Sequence, residues 1–304
     1  MIAVTGATGH LGREIVQDLA GRVPPGQLIA VAREPERAAD LAARGVAVRG
    51  GDFGQPAGLT RAFADAAQVL VVSVNQVGDA ARRLHHAAIT AARAAGARRV
   101  LYTSHMGARA DSAFAPAVDH AAAEAVLAEG AERKEGTAFT ALRHGFYAES
   151  ALYLIGDGLQ TGEIRAPEDG PVSWTARADL AEADAILLAA EGRLDGITPP
   201  LTAADALTLA DVAALASELT GREVKRTVVS DAAWRDAAVA RGVPAPMAEM
   251  LLGTYRAARR GDFAAVDPTL GTLLGRRPRT MRDVLAATLA TAAAADADHR
   301  PTRH

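Results

Sequence analysis

The sequence contains no cysteine and few aromatic residues. Without cysteine the chain has no disulfide, no thiolate metal ligand and no cysteine nucleophile. Aromatic residues make up 4% of the 304 residues although hydrophobic residues make up 49%, so we expect a core built mostly from Ala, Val and Leu. The 8 histidines form no pattern with Asp or Glu at metal-ligand spacing, and no metal site is predicted.

The chain also lacks an excess of charge of one sign and a long hydrophobic run. Lys plus Arg number 33 against 36 for Asp plus Glu, a formal net charge of -3, which argues against a nucleic-acid partner. No apolar run reaches the roughly 18 residues expected of a membrane span. Because the first residues resemble a structural strand and not a secretory signal, a cytoplasmic protein without a membrane partner is expected. A homo-oligomer is left open.

The first half of the sequence alternates between strand-like and helix-like patterns. This alternation predicts an α/β fold, a Rossmann-type doubly wound parallel sheet with crossover helices. The predicted strands are Met1–Thr5, Leu28–Ala32, Val46–Gly50, Val69–Val74, Val100–Thr103 and Ala138–Arg143. The predicted helices between them are Leu11–Ala20, Glu36–Ala43, Leu59–Ala66, Asp79–Ala95 and Val118–Glu129.

The regularity weakens after Phe146, where Gly and Pro become frequent. We therefore predict an NAD(P)-binding Rossmann domain at residues 1–150, a smaller α/β C-terminal substrate lobe at residues 151–298 and a disordered tail at residues 299–304. Short strands near Val172–Trp174 and Ile197–Leu201 are predicted to return to the edge of the main sheet. The other elements predicted in the lobe are helix Leu209–Leu219, strand Val224–Val229, and helices near Ala232–Arg241 and Ala245–Arg260.

Three glycines stand between the first strand and the first helix, in the stretch TGATGHLG. In this GxxGxxG spacing Gly6 would permit a tight turn, Gly9 the approach of a pyrophosphate, and Gly12 close packing of the helix on the strand. The amides of the first helical turn would face the phosphates. Alone the pattern indicates only a tight turn, but inside a βαβ unit it predicts dinucleotide binding. The contacts predicted from this segment are Gly6, Thr8, Gly9, His10, Leu11 and Gly12.

The ends of the later strands predict the other cofactor contacts. Arg33 follows the second strand, where its guanidinium would bind a 2′-phosphate and favour NADPH over NADH. The neighbouring Glu34 could instead hold a ribose hydroxyl or draw Arg33 away. Asp52 and Phe53 would contact the adenine. The positions expected on the nicotinamide side are Ser73, Asn75 and Thr103.

Several stretches of this chain resemble the NmrA-like atypical short-chain dehydrogenases/reductases. They are TGATGHLG, VAREPERAADLAARGVAVRGGDF, VLVVSVN, AARAAGARRVLYTS, ALRHGFYAES and LGRRPRTMRDVL. Within this family the sequence is most similar to the bacterial NAD(P)H:quinone oxidoreductases, and next to the triphenylmethane dye reductases. The resemblance implies a substrate cleft between the nicotinamide and the smaller lobe. It also implies an acceptor site near His144, Phe146 and Tyr147, with His144 in place of the Asn usual in the quinone reductases.

The acid used by ordinary short-chain dehydrogenases is absent from the matching stretch. Those enzymes carry Ser and Tyr-x-x-x-Lys, because a reduced ketone leaves an alkoxide that needs a proton from an acid of lowered pKa. Ser104 keeps the serine position, but VDHAAAEAVL offers His120 and Glu124 at the tyrosine and lysine positions. Ketone reduction thereby loses support, whereas a reduced quinone is a stabilised anion that water or a neutral histidine can protonate.

The candidate catalytic residues are Ser104 and His120. His120 could donate a proton near neutral pH while Glu124, one helical turn away, holds it, or the two could be a surface pair. Ser104 could contact the substrate or the nicotinamide at the carboxyl edge of the sheet.

The scarce aromatic side chains supply the candidate acceptor site. Phe146, Tyr147 and Trp174 could stack on a planar acceptor, although buried aromatic residues more often belong to a core. Tyr102 is interpreted as a structural residue at the sheet edge, and His85 and His86 as structural or surface residues.

The expected function is NADPH-dependent hydride transfer to a quinone or a similar planar, electron-poor small molecule. Catalysis would depend on positioning and on a dry cleft more than on side-chain acids. Two alternatives stay open. One is a non-catalytic NmrA-like redox sensor that binds the dinucleotide, and the other is a pathway-specific reductase for an aromatic polyketide or an imine.

Overall fold

The structure, a computed structural model, describes residues 1–132 and 137–298, and the expected tail at residues 299–304 lies outside the described residues. The strands are β1 (Ile2–Thr5), β2 (Leu28–Ala32), β3 (Ala47–Gly50), β4 (Gln68–Val71), β5 (Arg99–His105), β6 (Ala138–His144), β7 (Phe146–Tyr147), β8 (Glu163–Pro167), β9 (Trp174–Thr175), β10 (Gly196–Ile197) and β11 (Lys225–Val229).

The helices alternate with these strands in the first half of the chain and predominate in the second. They are α1 (His10–Ala20), α2 (Ala39–Ala43), α3 (Pro56–Ala62), α4 (Asp79–Ala94), α5 (Ala115–Glu132), α6 (Ala148–Ile155), α7 (Gly158–Thr161), α8 (Arg177–Ala189), α9 (Leu209–Thr220), α10 (Asp231–Ala240), α11 (Ala245–Arg259), α12 (Thr269–Leu274) and α13 (Met281–Asp298). None of the helices in the described part of the chain is long and apolar enough to cross a membrane.

In the described residues, seven parallel strands form the main sheet in the order β3-β2-β1-β4-β5-β6-β10. The central strands are continuous buried runs, such as LIAVA in β2 and QVLV in β4. Such runs are typical of a parallel sheet that helices cover on both faces. Leu11 and Ile15 of α1 pack with Leu187 of α8 on one face. The predicted Rossmann-type, doubly wound sheet is confirmed.

Two predicted helices differ from the observed ones near proline. The predicted helix Glu36–Ala43 is a 3₁₀ turn at Pro35–Ala38 followed by the short α2. The predicted helix Leu59–Ala66 starts earlier, because Pro56 occupies the first helical position, where the missing N–H has no cost. It ends at Ala62, and Asp65 has a φ of 66°, outside the helical region.

The second half of the chain does not form a separate lobe throughout. Helix α8 packs against α1, and β10 joins β6 at the edge of the main sheet, so the chain returns to the Rossmann domain after the predicted boundary at residue 150. The lobe holds two small parallel sheets, β8 with β11 and β7 with β9. The expectation that Val172–Trp174 joins the main sheet is therefore wrong, because Trp174 pairs with Phe146.

Candidate functional site

A cleft of about 880 Å³ opens at the carboxyl ends of β1 to β4. This edge includes the point where the strand order reverses between β1 and β4, which is where open α/β sheets bind ligands. The cleft brings together every predicted cofactor contact except Thr103. These lining residues are Gly6, Thr8, Gly9, His10, Leu11, Gly12, Arg33, Asp52, Phe53, Ser73 and Asn75.

The glycine turn at the base of the cleft needs glycine for two different reasons. Gly6 has a φ of 64°, in the left-handed region that favours glycine, and its carbonyl accepts the N–H of Gly9 at 2.8 Å. A Cβ on Gly12 would lie 2.4 Å from the carbonyl oxygen of Gly6, so only glycine lets α1 approach the turn this closely.

The first turn of α1 presents backbone amides to the cleft. Gly9 is the N-cap residue, and it supplies no side-chain cap for them. His10, Leu11 and Gly12 line the cleft at this helix end, where amides have no helical acceptor. Uncapped amides and the positive end of the helix dipole suit a diphosphate, so these residues fit a dinucleotide.

Arg33 is an exposed cation at the cleft, and Glu34 does not neutralise it. The carboxylate of Glu34 lies 3.6 Å from the guanidinium of Arg37 instead. In residues 1–132 and 137–298 no carboxylate forms an ion pair with Arg33. A second cleft of about 530 Å³ adjoins the first and is lined by Arg33 together with Arg49 and Arg61. This basic environment fits a phosphate on the adenosine ribose.

Two further arginines line the cleft, Arg13 and Arg37, and neither was predicted from the sequence. Arg13 donates to the carbonyl of Arg37 at 2.7 Å and forms an ion pair with Asp40. The sequence feature that could have predicted Arg13 is its place in the first turn of α1, one helical turn after Gly9.

Asp52 and Phe53 are both half-buried at the end of β3. One carboxylate oxygen of Asp52 accepts the N–H of Gly54 at 2.8 Å, which fixes the direction of the side chain. Its second oxygen remains available as an acceptor for an amino group on a base.

Thr103 supports the cleft from behind and does not line it, in contrast to the expectation that it contacts the cofactor. Its side chain is 1% exposed because it lies inside the sheet at β5. Its hydroxyl oxygen accepts the N–H of Ser73 at 2.8 Å, and the hydroxyl donates to Oγ of Ser73 at 3.1 Å. Thr5 was not predicted as a site residue, and its hydroxyl oxygen accepts the N–H of Val72 in the same way at 2.8 Å.

The loop after β4 is tied to helices α4 and α5. The N–H of Val74 donates to Nε2 of His85 at 3.0 Å. The N–H of Gly78 donates to Asp119 at 2.6 Å, and Arg82 also donates to this carboxylate at 2.7 Å. Asp119 is 2% exposed, so this buried carboxylate anchors the loop that forms one wall of the cleft.

A cluster of three histidines and one tyrosine lies beyond this loop. Oη of Tyr102 is 3.2 Å from Nδ1 of His85 and 2.9 Å from Nδ1 of His120. The rings of His105 and His120 are stacked, with centroids 6.0 Å apart. Nδ1 of His105 accepts the N–H of Gly107 at 3.0 Å. Among the described residues, no group of three or more His, Asp and Glu could hold a metal ion.

The cluster is uncharged at neutral pH. Burial lowers the pKa of His85 to about 4 and the pKa of His105 to about 3. Burial also lowers the pKa of His120 well below its usual value, and the neighbouring histidines add to this effect. His120 is therefore a neutral imidazole at neutral pH, and its role as a proton donor stays a prediction.

Glu124 does not orient His120. Its carboxylate accepts the hydroxyl of Ser104 at 2.6 Å and two N–H groups of Arg143 at 2.9 and 2.7 Å. The i,i+4 spacing puts both residues on one helix face, but the carboxylate of Glu124 binds Ser104 of β5 and Arg143 of β6. The expectation of a catalytic contact from Ser104 is not met either, because its hydroxyl is buried on Glu124.

His144 differs from its expected role as an acceptor contact. Its ring is 1% exposed, and Nε2 lies 3.0 Å from the carboxylate of Asp184, which is 0% exposed. Burial raises the pKa of Asp184, and His144 opposes this rise. Strand β6 directs the ring of His144 toward α8, and the half-buried Tyr147 lies beside it with ring centroids 6.3 Å apart.

The aromatic candidates Phe146 and Trp174 form a core between the sheet and the lobe. Phe146 packs edge-on against Trp174, His105 and Phe263, with centroids 5.1 to 5.3 Å apart. The indole N–H of Trp174 donates to the carbonyl of Leu207 at 3.1 Å, and Trp174 does not line the cofactor cleft. Strand β9 holds the ring inside the lobe, where it lines a separate pocket of about 240 Å³, and its stacking on an acceptor stays a prediction.

The fold and the cleft define a dinucleotide-binding Rossmann protein, with a glycine turn, an uncapped helix end and a basic adenosine side. The chain belongs to the NmrA-like family, whose model matches residues 1–282. This result confirms the family predicted from the sequence.

Relatives of known function are similar along nearly the whole chain. Quinone oxidoreductase 2 of Escherichia coli (strain K12) is 34% identical over 284 residues, which cover 93% of this chain and 96% of the relative. An E. coli NADPH-dependent quinone oxidoreductase solved with NADPH has a TM-score of 0.88 and 32% identity, covering 95% of this chain and 100% of that chain. The Citrobacter sp. triphenylmethane reductase complexed with NADP(H) has a TM-score of 0.84 and 31% identity, covering 95% and 99%.

Proposed function

We propose that this protein is an NADPH-dependent reductase that transfers hydride to a quinone or a similarly planar, electron-poor small molecule. One observation carries the proposal. The basic dinucleotide cleft is connected at Val74, next to Ser73, to a cluster of histidines that holds no protonated imidazole at neutral pH. The relatives named as quinone and triphenylmethane reductases support the same class of acceptor.

Each part of the cleft suits one part of the cofactor. The amides from Thr8 to Gly12 would hold the diphosphate, and Arg33 would pair with the 2′-phosphate. Asp52 and Phe53 would contact the adenine. Ser73 and Asn75, with Thr103 behind Ser73, would lie on the nicotinamide side. When bound, NADPH supplies the hydride.

The side chains near this end of the cleft favour an acceptor that needs no strong acid. Tyr102 is fully buried, and the two hydrogen-bond partners of its hydroxyl are His85 and His120. Burial raises the pKa of this hydroxyl well above 10.0. It is therefore a poor proton donor for an alkoxide. A quinone gains two electrons and one proton with the hydride and takes its second proton from water, which gives the hydroquinone and NADP⁺.

The test is the loss of NADPH absorbance after addition of a benzoquinone, with an aryl ketone as the matched acceptor. We expect rapid oxidation with the quinone and a negligible rate with the ketone. Calorimetry on the same preparation measures NADPH binding without any acceptor. Tight binding without acceptor-dependent oxidation would refute the reductase and identify a dinucleotide sensor.

A further inference from the structure

Three residues from separate elements form a continuous hydrogen-bonded chain that starts at the wall of the cofactor cleft. The N–H of Val74, a residue that lines the cleft, donates to Nε2 of His85 at 3.0 Å. Because a backbone N–H can only donate, this nitrogen of His85 carries no proton. The ring is neutral, so its single proton is on Nδ1 and points to Oη of Tyr102 at 3.2 Å.

The direction of the next hydrogen bond follows from the first. Oη of Tyr102 accepts the hydrogen bond from Nδ1–H of His85, and its own hydroxyl donates to Nδ1 of His120 at 2.9 Å. The reverse order would require Nδ1 of His85 to accept as well. That ring would then carry no proton on either nitrogen, which is an imidazolate and far too costly at neutral pH.

His120 is therefore left with its proton on Nε2. This nitrogen has no hydrogen-bond partner among the described residues. Were it buried, it would be a buried polar atom without a partner, and it is not one of these, so it is accessible to solvent. No carboxylate in the described part of the chain forms an ion pair with His85, His105 or His120. The two nearby acids are occupied, Asp119 by Gly78 and Arg82, and Glu124 by Ser104 and Arg143.

We infer that His85 and Tyr102 are positioning residues that fix His120 as its Nε2–H tautomer, so that His120 offers a neutral hydrogen-bond donor to an acceptor oxygen. This inference rests on the proposed function, because that oxygen gains negative charge when a quinone accepts hydride. His120 keeps its proton, and a fixed donor aimed at a developing oxyanion lowers the barrier without proton transfer. A neutral imidazole also avoids the desolvation cost of a buried cation.

The hydrogen bonds from His85 through Tyr102 to His120 would also make this donor rigid. His85 is on α4, Tyr102 is on β5 and His120 is on α5, so each ring is held by a different element. Asp119, next to His120, is bound to Gly78 at the start of α4. The position of the donor is thereby coupled to the loop that forms one wall of the cleft.

The first readout is the tautomeric state of each histidine, measured by long-range ¹H–¹⁵N NMR on the full-length protein at neutral pH. We expect His85 as the Nδ1–H form and His120 as the Nε2–H form. Tyr102→Phe removes the hydroxyl, and a substantial Nδ1–H population should appear at His120. Tyr255→Phe is the matched control, because the buried hydroxyl of Tyr255 has no hydrogen-bond partner in the described residues and lies in the lobe.

The second readout is a double-mutant cycle on benzoquinone reduction. Tyr102→Phe should lower kcat by about tenfold to a hundredfold, less than the roughly 10²–10³-fold cost of removing an oxyanion donor outright, because part of the His120 population keeps its Nε2–H. The dissociation constant for NADPH should be unchanged. In the His120→Ala background the same change should have little further effect, because Tyr102 acts through His120. The Tyr255→Phe variant should retain the wild-type rate.

Each failure has a separate signature. If the wild-type protein binds NADPH but reduces no quinone, the proposed function is wrong, and the NMR spectrum still decides the tautomers. If the wild type shows His120 as the Nδ1–H form, or if Tyr102→Phe and His120→Ala lower kcat independently while quinone reduction persists, the positioning role is refuted and the reductase remains.

Discussion

The carbonyl oxygen of Gly6 faces the α-carbon of Gly12 so closely that a Cβ at Gly12 would lie 2.4 Å from it. Gly12→Ala therefore requires α1 to move away from the glycine turn. We expect a loss of about 1–3 kcal/mol in the free energy of unfolding. The moved helix end should also bind NADPH more weakly.

Urea denaturation and calorimetry measure these two effects. Gly26→Ala is the control, since a Cβ there would have nothing within 4 Å. Wild-type stability in Gly12→Ala would show that the turn accommodates a side chain.

Arg33 should determine the preference for the 2′-phosphate. Removing its charge with Arg33→Gln should raise the dissociation constant for NADPH by about tenfold to a hundredfold, in line with about 1.5–3 kcal/mol for a charge-assisted hydrogen bond. Binding of NADH should change less than about twofold, since it carries no group for this cation. The exposed Arg44 lies outside both basic clefts, so Arg44→Gln controls for net charge. Equal losses for both nucleotides would assign Arg33 to general electrostatics.

Asp119 should hold the loop wall of the cleft in place. Asp119→Asn weakens the acceptor of Gly78 and Arg82 in a buried position, so we expect a several-fold higher KM for NADPH and faster amide exchange at residues 74–78. Asp79→Asn is a matched control, because this exposed carboxylate also pairs with Arg82 but holds no loop amide. If the two variants behave alike, the loop does not depend on Asp119.

Ser104 should contribute to stability and little to turnover. Its hydroxyl donates to the buried Glu124 at 2.6 Å, so Ser104→Ala should cost about 1–3 kcal/mol in the free energy of unfolding. Quinone reduction should stay within about threefold of wild type, because the hydroxyl is not available to a substrate. A large fall in kcat with normal stability would restore Ser104 as a catalytic residue.

His85 should make the protein less stable as the pH falls. Its pKa is lowered from 6.5 to about 4 in the folded protein, so between these values the unfolded chain holds a proton that the folded chain does not. The free energy of unfolding therefore decreases from pH 6.5 toward pH 4, by at most about 1.4 kcal/mol per pH unit for this group.

Denaturation at a series of pH values measures this slope. His85→Gln should reduce the dependence of the free energy of unfolding on pH. His86→Gln, at the exposed neighbouring position, is the control and should retain the wild-type slope. Equal slopes in wild type and His85→Gln would show that His85 does not titrate differently in the two states.

The sequence by itself determined the sheet and the base of the cleft, because both depend on short-range patterns. Apolar runs such as LIAVA have to be buried on both faces, and the three glycines between β1 and α1 allow a turn that other residues do not. The strand ends carry Arg33 and Ser73 to one edge as soon as the strands are parallel.

Tertiary structure alone decided which partner each polar side chain finds. The spacing of His120 and Glu124 correctly placed both on one face of α5, but helical periodicity does not specify the strand beneath that face. Glu124 meets Arg143 of β6, and His120 meets Tyr102 of β5. Burial then removes the charge from His120, and burial depends on how the whole chain packs, which no local pattern of residues contains.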